Sequence, residues 1–369
     1  MAECTTIHVP LRDRAYDLRI GDRLLADADA TALAPLAGGR RCLLVSDSNV
    51  APLYGTAATA LLRAAGASRV ETVVIPAGEG SKVLATMSTL YTAAARAGVD
   101  RRGLIVSLGG GVVTDLSGFL AATWMRGVDY AQLPTSLLAQ VDSAVGGKTG
   151  VDLPEGKNLV GAFHQPRLVL LDVSTLRSLP PRELRCGLAE VVKYGVILDA
   201  ELFARLEQNR KALLRADPVF YREVVRRSCE LKVQVVVEDE FDTTGCRALL
   251  NYGHTFGHAL ETLGGYSTYL HGEAVAIGMG MAADLALLLE DTADRREVRD
   301  RQDALLAALG LPLQARGLDA AAVQQAMQSD KKFVGGRSRV ILPERLGEVR
   351  QFADVPAEAV RRAIAGRLV

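Results

Sequence analysis

The sequence predicts an α/β N-terminal domain with a mainly parallel sheet, followed by a mainly α-helical C-terminal domain. Three observations carry this. In the first half, short β-rich runs alternate with helical stretches, the pattern of βαβ units. After Pro180-Pro181 the apolar positions recur with a period near 3.6 over long segments. At 369 residues and 49% apolar content, the chain can fill two cores, divided here as 1–179 and 180–369.

The elements follow in order. Tyr16 to Ile20 reads as an early strand, paired with Thr6 to Pro10 across Leu11-Arg12-Asp13-Arg14. Arg41 to Ser46, Val70 to Ile75, Leu104 to Leu108, Tyr130 to Leu133 and Leu168 to Asp172 read as sheet strands. Helical segments are expected over Arg182 to Leu198, Ala200 to Leu214 and Pro218 to Glu238. Ala274 to Leu289 is too short and too polar, with Asp284 inside it, to span a bilayer and is expected as a buried helix. Arg295 to Arg301, charged with both signs, reads as a solvated helix face. Arg337 to Leu342 and Glu348 to Phe352, split by Gly347, predict a small hairpin.

Composition narrows the function. Lys plus Arg equals Asp plus Glu at 43 each, so no long-range field favours nucleic acid or an anionic membrane, and a small-molecule partner is expected. Five scattered cysteines, never in a CxxC, suit reduced thiols, and the N-terminus has no basic start followed by an apolar run; a cytoplasmic protein is expected.

Three of the five histidines fall in Asn251-Tyr252-Gly253-His254-Thr255-Phe256-Gly257-His258 and His271-Gly272-Glu273. His254 and His258, four apart, would share one helix face, as metal ligands or as a packed pair. A zincin would carry Glu where Thr255 stands, so peptide hydrolysis is not the chemistry. Glu190 and Lys193 lie three apart on an otherwise apolar helix, as an ion pair or with Glu190 as a carboxylate ligand. Gly109-Gly110-Gly111 between a strand and a helix reads as a phosphate cradle or as a tight strand-to-helix turn without a ligand, and Thr114 holds the place of the third glycine of the Rossmann fingerprint. With the turns Asp47-Ser48-Asn49 and Gly78-Glu79-Gly80-Ser81-Lys82, it puts three polar turns on one sheet edge, where a dinucleotide would bind. Asp47 could accept from a ribose hydroxyl or merely cap its own turn. Gly147-Lys148-Thr149 matches only the end of a Walker A loop, because Asp142 stands where its first glycine is required. That leaves Lys148 and Lys157 in Gly-rich backbone, suited to phosphate or carboxylate.

Together these motifs resemble the 3-dehydroquinate synthase family of sugar-phosphate cyclases. From Asp47 to Lys332 the landmarks occur in order: GEGSK, GGGVVTD, Trp124-Met125-Arg126-Gly127, Pro134-Thr135-Ser136, DSAVGGKTG, GKN, AEVVKYG, Arg247, NYGHTFGH, HGE and Asp330-Lys331-Lys332. The resemblance implies a divalent metal, Zn2+ or Co2+, on Glu190, His254 and His271, which corrects the spacing argument: His258 then faces substrate and moves protons. It implies NAD on Gly110, Gly111, Val112 and Asp115, with Asp47, Asn49, Glu79, Lys82, Thr135, Ser136 and Lys157 around it. The implied substrate is 3-deoxy-D-arabino-heptulosonate 7-phosphate, bound by Arg126, Asn158, Lys193, Lys232, Arg247 and Lys332, with Lys148, Asn251 and Asp142 joining His258 in the catalytic set. The implied reaction oxidises a ring hydroxyl on NAD, eliminates phosphate, returns the hydride and closes the ring by an aldol step. A homodimer is the implied assembly.

Two departures stand out. Between Asp239-Glu240 and Arg247 the chain has one residue more than the family pattern, which bears on the register of Lys232, and Tyr252 follows Asn251 where Phe, Leu or Trp is common. The alternatives are a secondary-metabolism cyclase acting on another sugar phosphate, an NAD- and metal-dependent alcohol dehydrogenase, and an inactive binding protein. Asp142, Lys148, Arg247, Asn251, His258 and Lys332 all keep the dehydroquinate synthase type, against the first and last of these. The dense cation set argues against the second.

Overall fold

The computed structural model of the chain describes residues 4–26, 30–265, 268–328 and 339–369. Contacts divide it into one compact unit, Met1–Leu179 with Tyr221–Phe241, and a second, Pro180–Phe220 with Asp242–Val369. The break at Leu179 falls where the periodicity changes. The segment Tyr221–Phe241, expected in the second domain, instead groups with the first. Its side chains explain why: Cys229 Sγ lies 3.4 Å from the Gln140 carbonyl, Lys232 pairs with Asp142, and Glu240 takes a two-pronged contact from Arg14 at 2.9 Å on each oxygen.

The first unit is built on a seven-stranded sheet. Its strands are β1 (Thr5–Val9), β2 (Tyr16–Gly21), β3 (Arg41–Asp47), β4 (Arg69–Ile75), β5 (Leu104–Gly109), β6 (Asp129–Pro134) and β9 (Leu168–Asp172). The order is β1-β2-β9-β6-β5-β3-β4, parallel except for the β1–β2 pair. β5 and β9 are buried along their whole length and β3 in all but its first residue, as strands with both faces covered must be. Period two then splits the apolar residues: Leu43, Val45 and Ile105 enter one core with Val113 and Leu116, and Leu44, Val106 and Leu108 enter the other with Leu61 and Leu62. Between β6 and β9 the chain forms a hairpin not expected from the sequence, β7 (Lys148–Leu153) with β8 (Gly156–Phe163). Gly150 and Gly161 face each other there so closely that a Cβ on either would stand within 2.6 Å of the opposite backbone.

In the second unit three helices matter most: Pro181–Ile197, His254–Leu263 and His271–Leu289, called below the Glu190, His254 and His271 helices. The His271 helix has a mean hydropathy of 1.6 over a membrane-length window, yet 72% of that window is buried, so it is a core helix. Gly253, Gly257 and Gly278 bring its backbone against the His254 helix: a Cβ on Gly278 would stand 2.1 Å from the Gly253 carbonyl oxygen. Ala200 to Leu214, expected as one helical segment, is two helices, Ala200–Gln208 and Arg210–Leu214, parted at Asn209. Arg295, expected on a solvated face, is 3% exposed and donates to Glu344 at 2.9 Å. The late hairpin pairs β10 (Arg339–Arg345) with β11 (Glu348–Ala353), Arg337 lying outside the described residues. Its turn glycine, Gly347 at φ +81°, donates to the carbonyl of Val196 at 2.9 Å, holding the end of the Glu190 helix.

Candidate active site

On the sheet, β3 runs on to β4 on one side while β5 runs on to β6 on the other, so the strand order reverses between β3 and β5. Ligands of open α/β sheets bind in the crevice at such a reversal, beyond the strand carboxyl ends. Asp47 ends β3 and Gly109 ends β5, and a Cβ on Gly109 would lie 3.2 Å from Asp47 Oδ2. Asp47 Oδ1 accepts the N–H groups of Asn49 at 2.8 Å and Val50 at 3.0 Å, so the carboxylate caps its own turn with one oxygen and turns the other toward the glycines. Gly110 caps the helix Gly111–Thr123, whose first N–H groups have no partner within the helix. Ser136 and Ser143 flank it: a Cβ on Gly110 would stand 3.4 Å from Ser136 Oγ, and one on Gly111 3.4 Å from Ser143 Oγ. Thr135 donates its N–H to Gly109 at 2.9 Å, tying the β6 turn to the same edge.

One turn into that helix, Asp115 meets Lys82 from the turn after β4. Lys82 is 5% exposed and its Nζ reaches Asp115 at 2.5 Å and Asn158 Oδ1 at 2.6 Å. Burial works against the ammonium, but the carboxylates of Asp115 and Glu79 outweigh it and hold the Lys82 pKa above the ordinary lysine value. Lys157 pairs with Glu79 at 3.1 Å. Asn158, expected with substrate, is thus hydrogen-bonded to a residue expected with the cofactor. A second group forms where the π-helical turn Ala139–Ser143 presents Asp142 to Lys232, whose Nζ also reaches the Asp142 carbonyl at 2.6 Å. Before Arg247 the chain makes an exposed turn, with Asp242 at φ +56° and Gly245 at φ +88°. Lys148 lies at the exposed start of β7. Arg126 is exposed in a left-handed turn, φ +67°, and makes no hydrogen bond or ion pair with either group.

In the second unit Glu190 is fully buried. One of its oxygens pairs with the Lys193 ammonium; the other, Oε1, accepts no hydrogen bond and lies 3.5 Å from His254 Nε2 and 3.7 Å from His271 Nε2. One donor atom from each of the three residues falls within 4.8 Å of the others. A buried carboxylate oxygen without a hydrogen bond costs free energy unless something charged meets it. Two imidazoles and a carboxylate suit Zn2+ or a similar ion with a further position open. His258, one turn along from His254, has its ring 5.5 Å from that of His254 and 6.2 Å from that of His271. Arg247, 3% exposed, and half-buried Asn251 lie on the 3-10 turn Cys246–Asn251 just before. Lys332 lies outside the described residues.

Sequence reasoning missed the residues that hold this group in place. Three positions one turn apart on the Glu190 helix meet three successive residues of the His271 helix. Arg182 donates to both oxygens of Glu273 at 2.7 Å, Cys186 Sγ accepts the Gly272 N–H at 2.9 Å, and Glu190 faces His271. Glu273 also accepts the Leu270 N–H at 2.9 Å and so caps the helix that carries His271. Burial pushes the Cys186 thiol up to about 12, so it stays protonated and unreactive. The 182/186/190 spacing was the available signal, legible once the partner helix is known. Tyr252, noted only as a family departure, is fully buried, with its hydroxyl 2.8 Å from Gln302 Oε1.

Comparison with known proteins accounts for this arrangement. The family model described as 3-dehydroquinate synthase N-terminal matches residues 72–186, and that described as 3-dehydroquinate synthase C-terminal matches 187–333. A 3-dehydroquinate synthase of Desulforamulus reducens is 48% identical over 351 residues, 95% of this chain and 96% of that one. Among solved structures, 2-epi-5-epi-valiolone synthase from Streptomyces hygroscopicus subsp. jinggangensis with NAD+ and Zn2+ bound superposes with a TM-score of 0.86 at 30% identity, covering 95% of this chain and 96% of that one. 2-Deoxy-scyllo-inosose synthase complexed with carbaglucose-6-phosphate, NAD+ and Co2+ also gives 0.86, at 26% identity, covering 99% and 100%. Both halves of this sequence are matched, the identity holds over nearly its full length, and the chain belongs to the 3-dehydroquinate synthase family, whose members are carbon–oxygen lyases.

Proposed function

We propose that the chain converts 3-deoxy-D-arabino-heptulosonate 7-phosphate to 3-dehydroquinate and phosphate, the reaction its family name denotes. The observation that carries this reading is the buried Glu190 carboxylate against His254 and His271, in a chain 48% identical to a 3-dehydroquinate synthase but only 30% and 26% identical to the two solved cyclases named above. Those two cyclases were solved with NAD+ and with Zn2+ or Co2+, which supports the same pairing here. When bound, NAD supplies a reversible hydride sink and the divalent ion supplies Lewis acidity.

The chain's own residues do the rest. Glu190, His254 and His271 would hold the ion. Gly110, Gly111, Val112 and Ser136 would receive the pyrophosphate on the helix N-terminus, and Asp47 Oδ2 a ribose hydroxyl, with Asn49, Glu79, Lys82, Asp115, Thr135 and Lys157 completing the cofactor edge. The substrate carries a carboxylate and a phosphate, and Arg126, Lys148, Asn158, Lys193, Lys232, Arg247 and Lys332 would meet them with charge-assisted hydrogen bonds. His258, whose ring lies beside those of the two ligand histidines, would carry a proton to or from the substrate, with Asn251 also meeting the substrate and Asp142 keeping Lys232 in place. All five cysteines are free thiols, which supports a cytoplasmic setting. A homodimer is the assembly the family resemblance implies.

The test is phosphate release from the heptulosonate phosphate, with the NADH absorbance band followed in parallel, before and after a chelator. Chelator-sensitive phosphate release without net NADH is expected. Net NADH accumulation would instead point to a dehydrogenase, and no phosphate release would send the search to other sugar phosphates. Lys148→Ala is expected to damage turnover while NAD affinity, read by titration, survives. An equal loss of NAD affinity would move Lys148 to the cofactor site.

A further inference from the structure

We propose that Glu261 is the positioning residue for the metal centre, acting through His271; the inference rests on reading Glu190, His254 and His271 as the ligands. An imidazole binds a metal through one nitrogen only when its other nitrogen carries the proton, and an acceptor facing that proton fixes both the tautomer and the ring orientation. The two histidines solve this in different ways. His254 Nδ1 lies 3.1 Å from the carbonyl oxygen of Tyr252, two residues back in its own chain. His271 Nδ1 lies 3.3 Å from Glu261 Oε2. With both Nδ1 atoms engaged, both Nε2 atoms face Glu190 Oε1, at 3.5 and 3.7 Å.

Glu261 is placed for this by helical spacing. His254, His258 and Glu261 stand at i, i+4 and i+7, one stripe of the His254 helix, and the glycines at 253, 257 and 278 bring that helix onto the His271 helix. Glu261 is 3% exposed. A carboxylate so deeply buried is expensive unless it does something a neutral side chain cannot, and here it accepts from a ligand ring and makes that ring a stronger donor. His258, Glu261 and His271 also have donor atoms within 4.8 Å of one another, so a direct ligand role is the competing arrangement. The geometry points to positioning instead. As a ligand set, that trio would leave out His254 and leave the buried Glu190 oxygen unmet.

The experiment is a competition titration of the metal-free protein with Zn2+ against a chromophoric chelator, with circular dichroism to confirm the fold and the visible spectrum of the Co2+ form to report the ligand set. Glu261→Gln keeps the shape and a neutral acceptor and should weaken zinc about tenfold, while Glu261→Leu, with no acceptor, should weaken it about a hundredfold. Stoichiometry should stay at one per chain, and the cobalt spectrum of Glu261→Gln should keep the wild-type pattern. A purely structural carboxylate would not give this graded rescue. Wild-type zinc affinity in both variants overturns the positioning role and leaves the ligand assignment standing. Abolished binding in Glu261→Gln with retained binding in Glu190→Gln overturns both, making Glu261 a ligand. A wild-type protein that takes up no zinc or cobalt overturns the reading on which the inference rests.

Discussion

His271→Ala is expected to remove bound divalent metal and phosphate release together. With Glu190 and His254 the residue supplies one of three donors that lie within 4.8 Å of each other, and two donors hold such an ion poorly. The loss should be large, because a Lewis acid contributes several kcal/mol to stabilising charge in the transition state, and about 4 kcal/mol is already a thousandfold in rate. The fold should survive. His271 is the first residue of its helix, with a partly exposed side chain, and that helix end keeps its cap from Glu273 and its contact with Cys186. Elemental analysis of the purified variant decides the matter, since normal metal content would remove His271 from the ligand set.

Gly278→Ala should damage the second unit severely, although alanine is the better helix former by about 1 kcal/mol. The added Cβ would stand 2.1 Å from the Gly253 carbonyl oxygen and 2.8 Å from the Gly257 nitrogen, both backbone atoms that no rotamer change can clear. Overpacking of this kind costs about 1–3 kcal/mol or more, so the clash wins. The backbone that must yield carries His254 immediately after Gly253, so zinc affinity should fall along with thermal stability. Gly55→Ala provides the control. Gly55 lies within the helix Ala51–Ala64, and its Cβ would meet only Ala51 Cβ at 3.9 Å, so the substitution should be neutral or raise the melting temperature. A Gly278→Ala protein that melts no lower than wild type would refute the close-packing account.

The parallel strands were legible because a central strand with both faces covered must be apolar throughout, and Cys42 to Val45 and Leu104 to Leu108 are broken only by serine. The β7–β8 hairpin was not. Its glycines read as a loop, and nothing local shows that Gly150 and Gly161 are small so that two backbones can touch. Periodicity showed that Pro218 to Glu238 is a helix, but a helix face does not name its partner, and Lys232 and Cys229 take theirs from the first unit. Arg295 was misread for a related reason: sequence records its charge but not Glu344, which meets it 49 residues later. At the site, the family's motifs brought out Glu190, His254 and His271, whose donor atoms the fold sets within 4.8 Å of one another. Glu261, Cys186 and Arg182 escaped notice, because their role is to aim other side chains.

The contacts between the Glu190 and His271 helices tie the proposed metal site to helix register. A slip of one residue would shift the His271 helix about 1.5 Å along its axis and turn it about 100°. Arg182 would then lose Glu273, Cys186 would meet a side chain where Gly272 now gives it a bare N–H, and Glu190 would lose the His271 ring in the same movement. A one-residue slip therefore breaks all three contacts together, and metal affinity is expected to report whether these two helices have reached their seating during folding.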